Sequence, residues 1–140
     1  MSFKQVLVEE LQAQYEKNIA DKKKLDIVQK DINDFVKEFG DEIKEVLDVS
    51  RGKVEVESFN DHDAVFAKIR IDNVELQFKR FHDKIEVVTS KSLESDSDEV
   101  IDNIYPVSGE DYLCKVTSGG YLNEYALNRF LQEAFERKVL

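Results

Sequence analysis

Residues 64–90 read AVFAKIRIDNVELQFKRFHDKIEVVTS. The fold turns on whether this stretch folds back on itself as a β-meander. Apolar and polar side chains alternate in AVFAKIRI, VELQFKRF and KIEVVTS, and again upstream in KVEVESF. A period of two marks strands with one buried face. Asp72-Asn73 makes a good two-residue turn, because both residue types tolerate left-handed backbone. That turn sets Ile71 opposite Val74, Ile69 opposite Leu76, Ala67 opposite Phe78, and Arg70 opposite Glu75. A second turn at His82-Asp83 sets Phe78 opposite Val87 and Lys79 opposite Glu86. A four-residue turn over 60–63 sets Val56 opposite Ala67. Val56, Ala67, Phe78 and Val87 then form one apolar row across four strands. The opposite face carries Glu55, Glu57, Lys68, Arg70, Glu75, Lys79 and Glu86 and is expected to be wet, so helices cover one side only.

Helical spacing surrounds this centre. Ser2 is a fit N-cap for a helix in which Phe3, Leu7, Val8, Leu11, Tyr15 and Ile19 share a face. The region is read as two helices or one kinked helix packed on a sheet: Asp21 is placed to cap a second segment with Leu25, Val28, Ile32, Phe35 and Phe39 as its stripe. Gly40 suits the position just past its end, and Asp41 the cap of a short third helix. Counting in sevens from Val8 and from Leu11 gives nine apolar residues in twelve positions, so pairing of this region with another chain stays open. Residues 92–111 read as an acidic loop region, a further strand is expected around DYLCKVTS, and residues 121–138 form a C-terminal amphipathic helix. The expectation is a single α+β domain over 1–140. Its N-terminal helices (1–49) and C-terminal helix pack on one face of an antiparallel meander of four or five strands (53–90 and beyond).

Composition narrows the function. Of 140 residues, 36% are charged, and the net charge is −10. Residues 92–140 hold 10 acids against 4 bases. An acidic chain disfavours direct contact with nucleic acid or anionic lipid, which need positive charge facing phosphate. No stretch reaches the ~20 apolar residues of a membrane span, the start lacks a signal-peptide pattern, and Cys114 has no internal partner for a disulfide. A cytoplasmic location is the expectation.

No catalytic residue, metal ligand set or cofactor is assigned. His62 and His82, each beside aspartate, fall in turns at the same end of the meander, but on separate hairpins. The run at 94–102 fails calcium-loop spacing: counted from Asp96, its sixth residue is Ile101, where glycine belongs. Cys114 sits among apolar neighbours, as a core cysteine does. No G-x-S-x-G, P-loop or dinucleotide fingerprint is present.

Two functional readings follow. In the first, the chain is a non-enzymatic protein-binding module, an acidic inhibitor or immunity-type protein that engages a basic partner through Glu94, Asp96, Asp98, Glu99 and Asp102. In the second, it is a small-ligand binder or enzyme with a pocket between sheet and helices. Arg80, placed on the core side beside Val65 and Ile85, would line that pocket with Tyr112 and Tyr125. A homodimer formed through the N-terminal helices or a sheet edge fits either reading.

Overall fold

In a computed structural model that describes residues 2–60, 64–91, 98–108 and 113–139, the meander is present. The elements run α1 (Phe3–Gln14), α2 (Glu16–Glu42), α3 (Lys44–Val49), β1 (Val54–Glu57), β2 (Val65–Ile71), β3 (Val74–Arg80), β4 (Ile85–Ser90), β5 (Asp98–Pro106), β6 (Cys114–Val116) and α4 (Glu124–Val139). The six strands lie in chain order in one sheet, and every pairing is antiparallel. The class is α+β, with six strands where four or five were expected.

The register of the central hairpins is the one the alternation predicts. Ile71 faces Val74, Ala67 faces Phe78 and Arg70 faces Glu75 across β2–β3, while Phe78 faces Val87 and Lys79 faces Glu86 across β3–β4. Asp72 takes a left-handed φ of 55° at the turn. The first hairpin differs. Val56 pairs with Ile69, two residues from the expected Ala67. A shift of two keeps Val56 on the core side. The connection is longer than a four-residue turn, and Phe59 within it takes a φ of 59°. Its amide donates to Asn33 Oδ1 at 2.8 Å, and Asn33 is buried on α2. A register shift between Val65 and Ala67 accompanies burial of both Phe66 and Ala67; strict alternation would bury only one of them.

Residues 98–106, expected within an acidic loop, form β5. Its acids mask the pattern, since Val100, Asp102 and Ile104 break any simple apolar alternation. A second register shift between Val87 and Val88 leaves Ile101 as the extra residue. The strand expected around DYLCKVTS is the short β6.

Helices α2 and α4 supply the core face. Leu25, Val28, Ile32 and Val36 of α2, and Ala126, Leu127, Phe130 and Phe135 of α4, join one cluster with Phe66, Ile69, Leu76, Phe78, Ile85, Val87 and Ile104. Phe78 is its hub: its ring lies 6.3 Å from that of Phe66 and 6.3 Å from that of Phe130. Such pairs add about 0.5–1.5 kcal/mol each beyond the area they bury.

The helix boundaries differ from those expected. Ser2 caps α1, with a reciprocal bond to Gln5. The break falls at Tyr15 (φ −109°, ψ 16°), and Asp21 lies inside α2, paired with Lys17 at 2.8 Å. Gly40 also lies inside α2, and it ends nothing. A Cβ built there would sit 3.1 Å from Val56 Cγ1. The glycine lets α2 approach β1, which is a packing role, and the ~1 kcal/mol propensity cost is accepted for it. Asp41 pairs with Lys37 at 3.2 Å, and Ile43 stands at the cap of α3.

Candidate functional site

The largest departure from a covered architecture is at the N-terminus. No residue of α1 is buried. Phe3 is 77% exposed, and Leu7, Val8, Leu11, Tyr15 and Ile19 are 41–52% exposed. The first buried side chain is Leu25, in the second third of α2. The chain therefore extends an amphipathic arm, residues 2–20, away from the packed body. Nothing in the described residues covers its apolar stripe. A 12-residue helix is marginal in water on propensity alone.

Arg80 is on the core side, as expected. Its Nη1 lies 3.1 Å from Asp26 Oδ1 and 2.9 Å from Gln29 Oε1 on α2, and its Nε donates to Phe81 O at 2.9 Å. The Lys22 ammonium at 2.8 Å and Arg80 together hold the Asp26 carboxyl below the usual carboxylate range. A recess of about 310 Å³ opens beside it, lined by Asn18, Asp21, Lys22, Arg80, His82 and Asp83. Every residue lining it is polar or charged, so its apolar wall comes from side-chain stems, and the guanidinium is already engaged by Asp26, Gln29 and Phe81 O. Tyr125 is 79% exposed on α4 and lines no enclosed space. Tyr112 lies outside the described residues.

The acidic candidates separate. Glu94 and Asp96 lie outside the described residues. Asp98 and Glu99 begin β5, and Glu99 is exposed; Asp98 reaches Lys79 at 4.0 Å. Asp102 is elsewhere in kind. Its side chain is 2% exposed and meets Arg129 Nη2 of α4 at 2.8 Å. Its carboxylate also accepts from the Ser118 hydroxyl at 2.5 Å, the Ser118 amide at 3.2 Å and the Asn103 amide at 2.8 Å. A buried carboxylate with these donors ties β5 to the β6–α4 connection and to α4, so it is not presented to a partner. The sequence offered no signal for this pair, because its members stand 27 residues apart.

The outer face of the sheet is less wet than expected. Glu55 meets Arg70 at 2.8 Å, Lys84 meets Glu86 at 3.1 Å, and Lys68 lies between Glu57 and Glu75 at 3.8 and 3.9 Å. The hydrogen bond from Arg70 holds the Glu55 carboxyl below its ordinary range. Val88, opposite Gln77 on this face, is 2% exposed. Most basic side chains of the sheet thus have an acid beside them, and the excess negative charge is left elsewhere.

Cys114 is buried in β6, and burial pushes its thiol up to about 11; a thiol so placed is a poor nucleophile. His82 is 92% exposed, 3.9 Å from Asp83, and His62 lies outside the described residues. Among the described residues, no three of His, Cys, Asp and Glu converge as a metal site, and no helix is long and apolar enough to cross a membrane. Comparison with protein-family models, with curated proteins and with solved structures finds no match to this chain.

Proposed function

We propose that the chain is a non-enzymatic protein-binding module, an acidic body carried on an amphipathic helical arm. The observation that supports this most directly is the arm itself. Contiguous apolar surface on a soluble protein is normally covered by something, and here the chain supplies no cover among its described residues. The stripe occupies one side of a capped helix, which is how a helix meets a protein groove or another helix.

The body's charge suggests the character of its client. At a net −10, with the sheet's lysines and arginines largely paired, unbalanced carboxylates set the surface field. Such a field speeds encounter with a basic surface and makes binding sensitive to salt. Asp98 and Glu99, with Glu94 and Asp96 just before them in sequence, are the segment assigned to that contact. An inhibitor that occupies the phosphate-binding face of a nucleic-acid-binding protein, in the cytoplasm, is the specific form of this proposal.

Affinity capture from the native host tests it, run at low salt and at about 0.5 M salt, where the Debye length is only a few ångströms. The wild type is compared with Asp98→Asn/Glu99→Gln. A basic protein held at low salt, released at high salt and lost with the charge variant supports the reading. Equal retention by the variant, or no retained protein at all, counts against it.

A further inference from the structure

Resting on the reading of the arm as a protein-contact surface, we infer that its occupant is the arm of a second copy. The two pack antiparallel, with the dyad near Leu11, and hold the two acidic bodies apart at opposite ends.

Phe3, Leu7, Leu11, Tyr15 and Ile19 stand four residues apart, forming a ridge of the i±4 kind that interdigitates with its like. The apolar positions are spaced symmetrically about Leu11. In an antiparallel pair Leu7 faces the other copy's Tyr15 across the dyad, while Phe3 and Ile19, each a further four residues out and turned about 40° more around the helix, lie at the margins of the contact. The polar members of the same helical face obey the same symmetry, because Lys4 comes opposite Asn18. A parallel pair would instead set Lys4 beside Lys4 across the seam, a like-charge contact at the edge of apolar surface.

Each chain carries a net −10, almost all of it in the body, since residues 3–19 hold two lysines and three glutamates. A parallel pair brings the bodies side by side. An antiparallel pair centred on Leu11 sets the two Leu25 positions about 40 Å apart at 1.5 Å per residue. That is several Debye lengths at physiological salt.

The stripe's Phe3, Leu7, Val8, Leu11, Tyr15 and Ile19, 41–77% exposed, offer at most roughly 600 Å² per copy, taking ~150–250 Å² for a whole aromatic and somewhat less for an aliphatic. Stable interfaces use about 800 Å² per partner. The pairing is therefore modest, and it titrates in the micromolar range.

Sedimentation equilibrium of the full chain, from about 1 to about 200 µM, should pass from 16.3 kDa towards twice that mass. Leu7→Asp/Leu11→Asp should stay monomeric across this range with its body folded, because neither residue contributes to the core; the far-ultraviolet spectrum and the urea midpoint of the body check that point. For orientation, Leu11→Cys should form a disulfide dimer under mild oxidation. Phe3→Cys should not, because its two copies lie about 24 Å apart in the antiparallel pair. The native Cys114 is buried and does not compete. A wild type that stays monomeric at the highest concentration overturns the inference, as does a dimer indifferent to the double aspartate variant or one that cross-links through Phe3→Cys but not Leu11→Cys. A monomer that still captures a basic host protein refutes self-pairing alone and leaves the binding role standing.

Discussion

Removing Arg129 should cost the fold more than removing the charge of Asp102, though the two are partners in one ion pair. The asymmetry follows from where each group lies. Asp102 has a side chain 2% exposed, whereas Arg129 is 29% exposed and lies 3.9 Å from Glu133. Arg129→Met leaves a carboxylate shut away from water, with the Ser118 and Asn103 donors still in place but no countercharge. Loss of one member of a buried pair costs about 3–5 kcal/mol; the surviving hydrogen bonds put this case near 3 kcal/mol. Asp102→Asn leaves a guanidinium that can turn to solvent and to Glu133, and only the charge-assisted bonds are lost, about 1–2 kcal/mol. The double variant should cost less than the two single losses added, because the second change removes the charge that the first stranded. Urea unfolding followed by far-ultraviolet circular dichroism, at one protein concentration, reads these values. With a slope near 2 kcal/mol per molar, a loss of ~3 kcal/mol moves the midpoint by about 1.5 M. If Asp102→Asn costs as much as Arg129→Met or more, or if both changes shift the midpoint by less than about 0.3 M, then the cluster is not the buried pair described.

Phe78→Ala should lower stability by about 3–5 kcal/mol, since it empties the hub between Phe66 and Phe130. Gly40→Leu should destabilise by about 2 kcal/mol or more through its clash with Val56, and Val56→Ala should recover part of that loss; a neutral Gly40→Leu would mean that α2 does not press on β1. Cys114 gives a pH signature: its folded value of about 11 lies above the ordinary 9.0. Its contribution to stability is therefore fully present below pH 9 and lost as pH rises between 9 and about 11. The wild type should lose more stability over that interval than Cys114→Ala does. At the acid end the sign reverses. Glu55 is held low by Arg70, so its contribution is present above the ordinary carboxylate pKa and fades as pH falls; Arg70→Met should flatten that part of the acid titration relative to wild type.

The parts of the fold legible in the sequence were those governed by local pattern. The β2–β3 and β3–β4 registers follow from alternation and from two tight turns, each fixed within a few residues. The first hairpin departs by two residues because its connection is long and carries a left-handed Phe59 pinned by Asn33, a contact across 26 residues. β5 was hidden because Asp102 faces the core as a charged residue, and its pairing with Arg129 is a tertiary fact. Gly40 shows the same limit: a helix-stopping residue by local rule, it is explained only by the nearness of Val56. For the candidate surfaces, the amphipathic pattern of residues 3–19 was plain. Whether the sheet or another molecule covers that stripe depends on where the body ends, and periodicity does not encode that.

The core begins at Leu25, and this divides the chain's obligations. Substitutions in the first twenty positions carry little folding penalty, so companion choice can change there without endangering the scaffold. From Leu25 onward the reverse holds: most apolar positions answer to packing first. A lineage of such chains would be expected to vary quickly at the tip and slowly in the body, with the bend at Tyr15 lying just within the faster zone.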